Sequence, residues 1–129
     1  MYRPQDIAAS FDAMDKAGVG AVLIEADPLV LEPNRRQIVE LAATQRLPSM
    51  CPWSFYTESG GLISYAASIP GFHQRSAMFV SKILKGEKPG EIPVEQPTTF
   101  ELMINARTAK ALGLVVPKSL MLRADQVIN

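Results

Sequence analysis

Apolar residues recur along this chain in two alternating spacings, one typical of helices and one typical of buried strands. Ile7, Phe11 and Met14 follow the i, i+4, i+7 spacing of an amphipathic helix, which we predict over Pro4–Lys16. The run Val19–Glu25 is short, apolar and rich in β-branched residues, which predicts a strand buried on both faces of a parallel sheet. The chain thus opens on a helix with no strand before it, as if a β-α-β unit were cut at its front.

The same two spacings predict the other elements. They are helices over 33–45, 70–86, 106–112 and 117–128 and strands over 49–53, 62–65 and 100–104. Asn105 is placed to cap one of the short helices, and Gly113 is placed to end it. This alternation predicts an α/β protein: a single domain over 1–129, built as a three-layer α/β/α arrangement with a mostly parallel sheet.

Charge, cysteine content and the first residues of the chain bear on its partners, its disulfides and its location. Thirteen basic and thirteen acidic residues balance, so the sequence gives no electrostatic reason to expect nucleic acid or an anionic membrane as a partner. Cys51 is the single cysteine, which excludes an intramolecular disulfide. The first residues do not form the apolar segment of a signal peptide, so the chain expressed as given is expected to be cytoplasmic.

The sequence contains few residues in arrangements that catalysis requires. His73 is the only histidine, at the start of a predicted helix, and no Cys, His or carboxylate group has metal-ligand spacing. A nucleophile elbow and a Walker loop are absent, and Gly18 with Gly20 precedes a strand instead of following one. We therefore predict a protein that is not an enzyme and that has no cofactor or metal.

The strand ends instead favour a small-molecule site, because ligands of open α/β sheets bind outside the carboxyl ends of the strands. The candidate binding residues there are Asp27, Trp53, Ser54, Ser64 and Tyr65. Asp27 could neutralise an ammonium group, and the two aromatic rings could stack on an apolar or aromatic group. The alternatives are a turn cap for Asp27, core packing for Trp53 and an ordinary strand position for Tyr65.

Several segments in order resemble the C-terminal half of the ABC transporter substrate-binding proteins of the tryptophan/tyrosine type. They are 60–65 (GGLISY), 80–89 (VSKILKGEKP), 92–102 (IPVEQPTTFEL), 104–105 (IN), 108–114 (TAKALGL) and 123–128 (RADQVI). Members of that family commonly have glycine after the Ser-Tyr pair, where this chain has Ala66.

The resemblance implies a type I periplasmic binding protein fold, in which two α/β lobes close on a ligand by a hinge motion. It implies that this chain is part of the C-terminal lobe, with helix 70–86 in the other lobe and crossings near 66–70 and 92–97. Asp27 matches a family aspartate that faces the cleft, and Ser64 and Tyr65 fall on a hinge strand. A membrane permease is the implied partner, and the full-length family is periplasmic or extracytoplasmic.

Two functions are consistent with a partial lobe. The first is a truncated solute-binding component of an ABC-type importer that binds a small organic solute such as an amino acid. The alternative is a self-associating α/β fragment without ligand binding, an interaction module or gene remnant. The apolar stripe of helix 70–86 lacks the lobe that would cover it, so we also expect a homodimer or a larger homo-oligomer.

Overall fold

The computed structural model describes residues 3–28 and 32–129. Its helices are α1 (Pro4–Ala17), α2 (Arg35–Thr44), α3 (Ser54–Glu58), α4 (Ile69–Leu84), α5 (Ala106–Leu112) and α6 (Lys118–Met121). Its strands are β1 (Val22–Leu23), β2 (Ser49–Cys51), β3 (Ile63–Ala67), β4 (Phe100–Asn105) and β5 (Gln126–Ile128). A short 3-10 helix covers Pro89–Glu91.

The strands form one sheet in the order β1-β2-β3-β4-β5. Strand β2 pairs in parallel with β1 and with β3, and β4 pairs in parallel with β5. Helices separate β1 from β2 and β2 from β3, as parallel neighbours require. The predicted α/β class with a mostly parallel sheet is therefore confirmed.

The chain divides into two compact units. The first comprises residues 1–66 and 102–129, and the second comprises residues 67–101. The chain thus leaves the first unit once and returns to it once. The assignment of helix 70–86 to a second lobe, with crossings near 66–70 and 92–97, stays a prediction.

The core of the first unit lies where α1 and α2 pack on the sheet. Ile7 and Phe11 of α1 are buried, as predicted, and Met14 is half-buried. From α2, Ile38 and Ala42 are buried together with Val39. The remaining members of this cluster are Ile24, Leu47, Cys51 and Tyr56. Burial of these side chains supplies the main favourable free energy of this unit.

Strand β1 differs from its prediction in length and in burial. It comprises two residues instead of the seven of Val19–Glu25, and the side chain of Leu23 is 70% exposed. The reason is its position at the edge of the sheet, where it pairs with β2 alone. A strand in a central position would be covered more completely.

The helix predicted over 117–128 is wrong. Helix α6 ends at Met121, and Gln126–Ile128 forms β5. Asp125 fixes this change of conformation, because its backbone N–H donates to the Leu102 carbonyl (2.9 Å) and its Oδ2 accepts from the Leu102 N–H (2.8 Å). The β-branched Val127 and Ile128 then pair with β4, which outweighs the helical spacing of the apolar residues.

Helix α4 and an extended return segment make up most of the second unit. The Ser68 hydroxyl caps the helix by accepting from the Gly71 N–H (3.3 Å). Arg75 pairs with Glu95 of the return segment, and its guanidinium lies 5.7 Å from the centroid of the Phe79 ring. Between helix and segment runs a groove of about 710 Å³, lined by Phe72, Phe79, Pro97 and nine other residues.

Candidate functional site

The loops after β1 and β2 lie at the same edge of the sheet. The two strands run parallel with Leu23 opposite Met50, and the Ile24 N–H donates to the Met50 carbonyl (2.9 Å). The loop that carries Asp27 and the turn that carries Trp53 leave these strands in the same direction. The structure thus brings two predicted site segments to one edge.

Asp27 lies in the loop between β1 and α2. Its side chain is half-buried, and its backbone carbonyl accepts a hydrogen bond from the Glu32 N–H (3.0 Å). That bond brings Glu32 back to the carboxyl end of β1. The charge of the Asp27 carboxylate is one of several that act on the buried Tyr56 phenol and raise its pKa.

Three aromatic rings cluster after β2. The centroid of Trp53 lies 5.4 Å from that of Phe55 and 6.5 Å from that of Tyr56, and the Phe55 and Tyr56 rings stack at 5.2 Å. Tyr56 belongs to the core, and half-buried Trp53 packs against it. The core-packing alternative for Trp53 therefore accounts for part of its surface, and the rest remains accessible to a ligand.

The Tyr56 hydroxyl is buried, and none of the residues that the structure describes forms a hydrogen bond with it. Burial raises its pKa to about 12, and the charge of Glu32 acts in the same direction, as does that of Asp27, whereas Arg35 lowers it. The phenol is therefore neutral at pH 7 and keeps its proton available for donation. Most buried hydroxyls have a partner, so this donor indicates a position for an acceptor that the described residues do not supply.

Arg35 is the cation of this cluster and the first residue of α2. Its guanidinium carbon lies 5.6 Å from the centroid of the Phe55 ring, a cation-π distance. Its Nη1 donates to the Glu32 carbonyl oxygen (3.4 Å), and its buried Nε has no hydrogen-bond partner among the described residues. The Phe55 ring and the Glu32 carbonyl thus both contact this side chain.

The other predicted site residues differ in accessibility. Ser54 is the half-buried first residue of α3. Ser64 stands opposite Cys51 in the sheet and is only 2% exposed, whereas Tyr65 is 53% exposed. Successive strand residues point to opposite faces, which explains this contrast. Tyr65 is therefore the accessible member of the predicted hinge pair.

Sequence reasoning missed Glu32, Arg35, Phe55 and Tyr56. The signal that could have found them is their place a few residues beyond Asp27 and Trp53, in the same strand-end loops. Only the fold shows that the Arg35 guanidinium, which follows the first loop, lies over the Phe55 ring of the second. Helix α3, which holds Phe55 and Tyr56, lies between the predicted strands 49–53 and 62–65, where no helix was predicted.

Two features of the described residues bear on nucleophilic and metal chemistry, the Cys51 thiol and the grouping of possible metal ligands. Burial raises the pKa of the Cys51 thiol to about 11, against a smaller opposing effect of its hydrogen bond to Ser49, so it is protonated at pH 7. Across residues 3–28 and 32–129, no three His, Cys, Asp or Glu side chains group as metal ligands would. The helices in those ranges are too short or too polar to cross a membrane.

Comparison with known proteins identifies similar proteins for nearly the whole chain. A model of the family described as ABC transporter substrate binding protein matches residues 2–128. The ABC domain from Streptococcus pneumonia, solved in complex with L-Trp, is 26% identical with a TM-score of 0.86 over 97% of this chain. A conserved domain protein from Vibrio cholerae is 21% identical with a TM-score of 0.87, also over 97% of the chain.

A third similar structure is a substrate binding protein with adhesive properties from Clostridium difficile, in its ligand-free, open form. It is 17% identical with a TM-score of 0.69 and covers the chain completely. This chain spans only 42 to 43% of the length of the three structures. A search of curated proteins gave no match.

Proposed function

Since the chain belongs to the family of ABC transporter substrate-binding proteins, we propose that its strand-end site binds a small organic solute, such as an amino acid, for import. The single observation that carries this proposal is that the loops of Asp27 and Trp53 leave one edge of the sheet, where the Arg35 guanidinium lies over an aromatic ring of the same cluster. A carboxylate, a cation and accessible aromatic surface at one edge of a parallel sheet are what an amino-acid site requires.

The roles of the site residues follow from their chemistry. The Asp27 carboxylate binds the ammonium group of the solute through charge-assisted hydrogen bonds. The exposed part of Trp53 packs on the side chain of the solute, and the neighbouring Ser54 hydroxyl offers a further polar contact. The L-Trp bound to the similar Streptococcus structure supports a solute of this class. Ser64 and Tyr65 belong to the proposed hinge strand.

Solute binding is tested by calorimetry with L-tryptophan first and then with the other amino acids. We expect Asp27→Asn to weaken binding at least about tenfold, because a neutral amide replaces the partner of the ammonium group. Asp12→Asn is the matched control, since Asp12 is an exposed carboxylate of α1 and belongs to the same unit. Equal affinities of the two variants would remove Asp27 from the site, and no binding by the unaltered chain would contradict solute binding by this chain.

The chain spans less than half of its structural relatives, so the complete import function is part of the proposal. We expect a second lobe to complete the site and to bury most of the solute. Substrate-binding proteins of this family are generally periplasmic or extracellular and deliver solute to a membrane permease. The same location and partner are proposed for the complete protein.

Self-association is a separate proposal based on α4. Its apolar residues remain exposed: Phe72 (47%), Met78 (49%), Val80 (54%), Ile83 (42%) and Leu84 (82%). We expect the unaltered chain to be a homodimer by light scattering, because a second copy would cover this surface. Val80→Glu should shift the population to monomer, whereas Gln74→Glu, with the same charge change on the same helix, should not. A monomeric unaltered chain would contradict self-association and leave solute binding unaffected.

A further inference from the structure

Arg35 is half-buried, and among the described residues no carboxylate forms an ion pair with it. Its Nε is covered by protein and has no hydrogen-bond acceptor in residues 3–28 and 32–129. A guanidinium that loses water without gaining an anion raises the free energy of the folded chain. Retention of this arrangement is expected at a site where a ligand supplies the missing anion.

The position of Arg35 on α2 also raises the free energy of the folded chain. The N-terminal end of a helix carries partial positive charge, so acidic residues are preferred there and a cation is disfavoured. The first turn of α2 contains no acidic residue and begins with Arg35 and Arg36. The Arg35 N–H already donates to the Glu32 carbonyl (3.2 Å), so the guanidinium is the group at this helix end that is available to an anion.

Tyr56 provides an independent observation at the same place. Its side chain is fully buried, and its hydroxyl has no hydrogen-bond partner within the described part of the chain. The charges of Glu32, Arg35 and Asp27 all act on its pKa. Phe55 links the two groups, because it lies under the guanidinium and stacks on the Tyr56 ring. Two unpartnered donors, one on Arg35 and one on Tyr56, therefore belong to one packed cluster.

We propose that Arg35 determines specificity by binding the carboxylate of a zwitterionic solute whose ammonium group is bound by Asp27. The Phe55 ring, which stacks on buried Tyr56, lies beneath this guanidinium. This inference rests on the proposed function. The balance of charge explains why one solute must carry both groups. Asp27 and Glu32 would repel a solute that is only an anion, whereas a neighbouring ammonium group on the same solute offsets that repulsion.

The test compares L-tryptophan with L-tryptophanamide, which keeps the ammonium group and the indole but lacks the carboxylate, and extends to the other amino acids and their amides. For the unaltered chain we expect the amide to bind at least about tenfold more weakly than the acid. Arg35→Gln should remove most of this difference by weakening the binding of the acid alone. Arg35→Lys should restore part of the acid-to-amide difference, because lysine supplies the positive charge but not the planar guanidinium that forms two hydrogen bonds to a carboxylate.

Arg36→Gln is the matched control, because it removes the same charge from the next, exposed residue of α2. Its acid-to-amide preference should equal that of the unaltered chain, and thermal unfolding shows whether each variant is folded. Solute binding in which Arg35→Gln keeps the full acid preference overturns this inference and leaves the proposed function intact. No binding of any acid or amide by the unaltered chain overturns both.

Discussion

Replacing Gly61 by alanine is expected to lower the free energy of unfolding by about 1–3 kcal/mol, the usual range for forcing an extra methyl group into a packed core. A Cβ at Gly61 would lie 2.6 Å from the Cys51 Sγ and 3.0 Å from the Tyr56 carbonyl oxygen. Cys51 is only 1% exposed and Tyr56 is fully buried, so neither atom has free space to enter. Urea denaturation of the variant measures this effect.

Gly20→Ala is the matched control for this prediction. An added Cβ there meets no atom within 4 Å, so the change should be within about 0.5 kcal/mol of neutral. In a Cys51→Ala background, Gly61→Ala should lower the free energy of unfolding by less, because the contact with the thiol is then removed. Equal stability of the Gly61 and Gly20 variants would contradict the close packing between β2 and the turn before β3.

Asn105→Ala is expected to lower the free energy of unfolding by about 2–4 kcal/mol, since it leaves buried groups without partners. The side chain is 5% exposed, its Oδ1 accepts from the Thr108 N–H at the start of α5 (3.0 Å), and its Nδ2 donates to the Thr57 carbonyl (3.0 Å). The residue thus caps one helix and ties it to α3. Denaturation in urea again provides the measurement.

The stability effect of removing the α4 cap, Ser68, serves as the comparison for Asn105→Ala. Ser68 makes a single capping bond of 3.3 Å at an exposed helix start, so Ser68→Ala should cost no more than about 1 kcal/mol. Asn105→Asp keeps the capping acceptor but places a carboxylate against the Thr57 carbonyl, and it should remain clearly destabilising. A cost for Asn105→Ala no larger than that for Ser68→Ala would show that the bond to Thr57 contributes nothing.

Local signals were sufficient for much of the fold. The apolar spacing of Ile7 and Phe11 correctly predicted the buried face of α1, and Asn105 and Gly113 correctly marked the ends of α5. Such features depend on residues near one another in the chain. The helix predicted over 117–128 failed because its conformation depends on a strand 23 residues away, through the bond between Asp125 and Leu102.

The candidate site was predictable only in part. Asp27 and Trp53 could be named because they directly follow apolar runs, and parallel strands place such residues at one edge. Arg35 could not be connected to them from sequence, because its place depends on the return of the chain from Asp27 to Glu32 and on the Phe55 ring in another loop. Ser64 was named from the sequence as a site residue, but only the fold reveals that it is buried opposite Cys51.

The most direct test of the proposed solute site uses Trp53, the only tryptophan of the chain, as a reporter. Its indole N–H gives a single signal in a nitrogen-proton NMR correlation spectrum, which can be followed during titration with an amino acid. We predict a saturable shift of this signal and of backbone signals from residues 24–28 and 52–56, with the dissociation constant found by calorimetry. Solute binding that leaves the Trp53 signal unchanged and shifts only signals from residues 67–101 would contradict a site at the ends of β1 and β2.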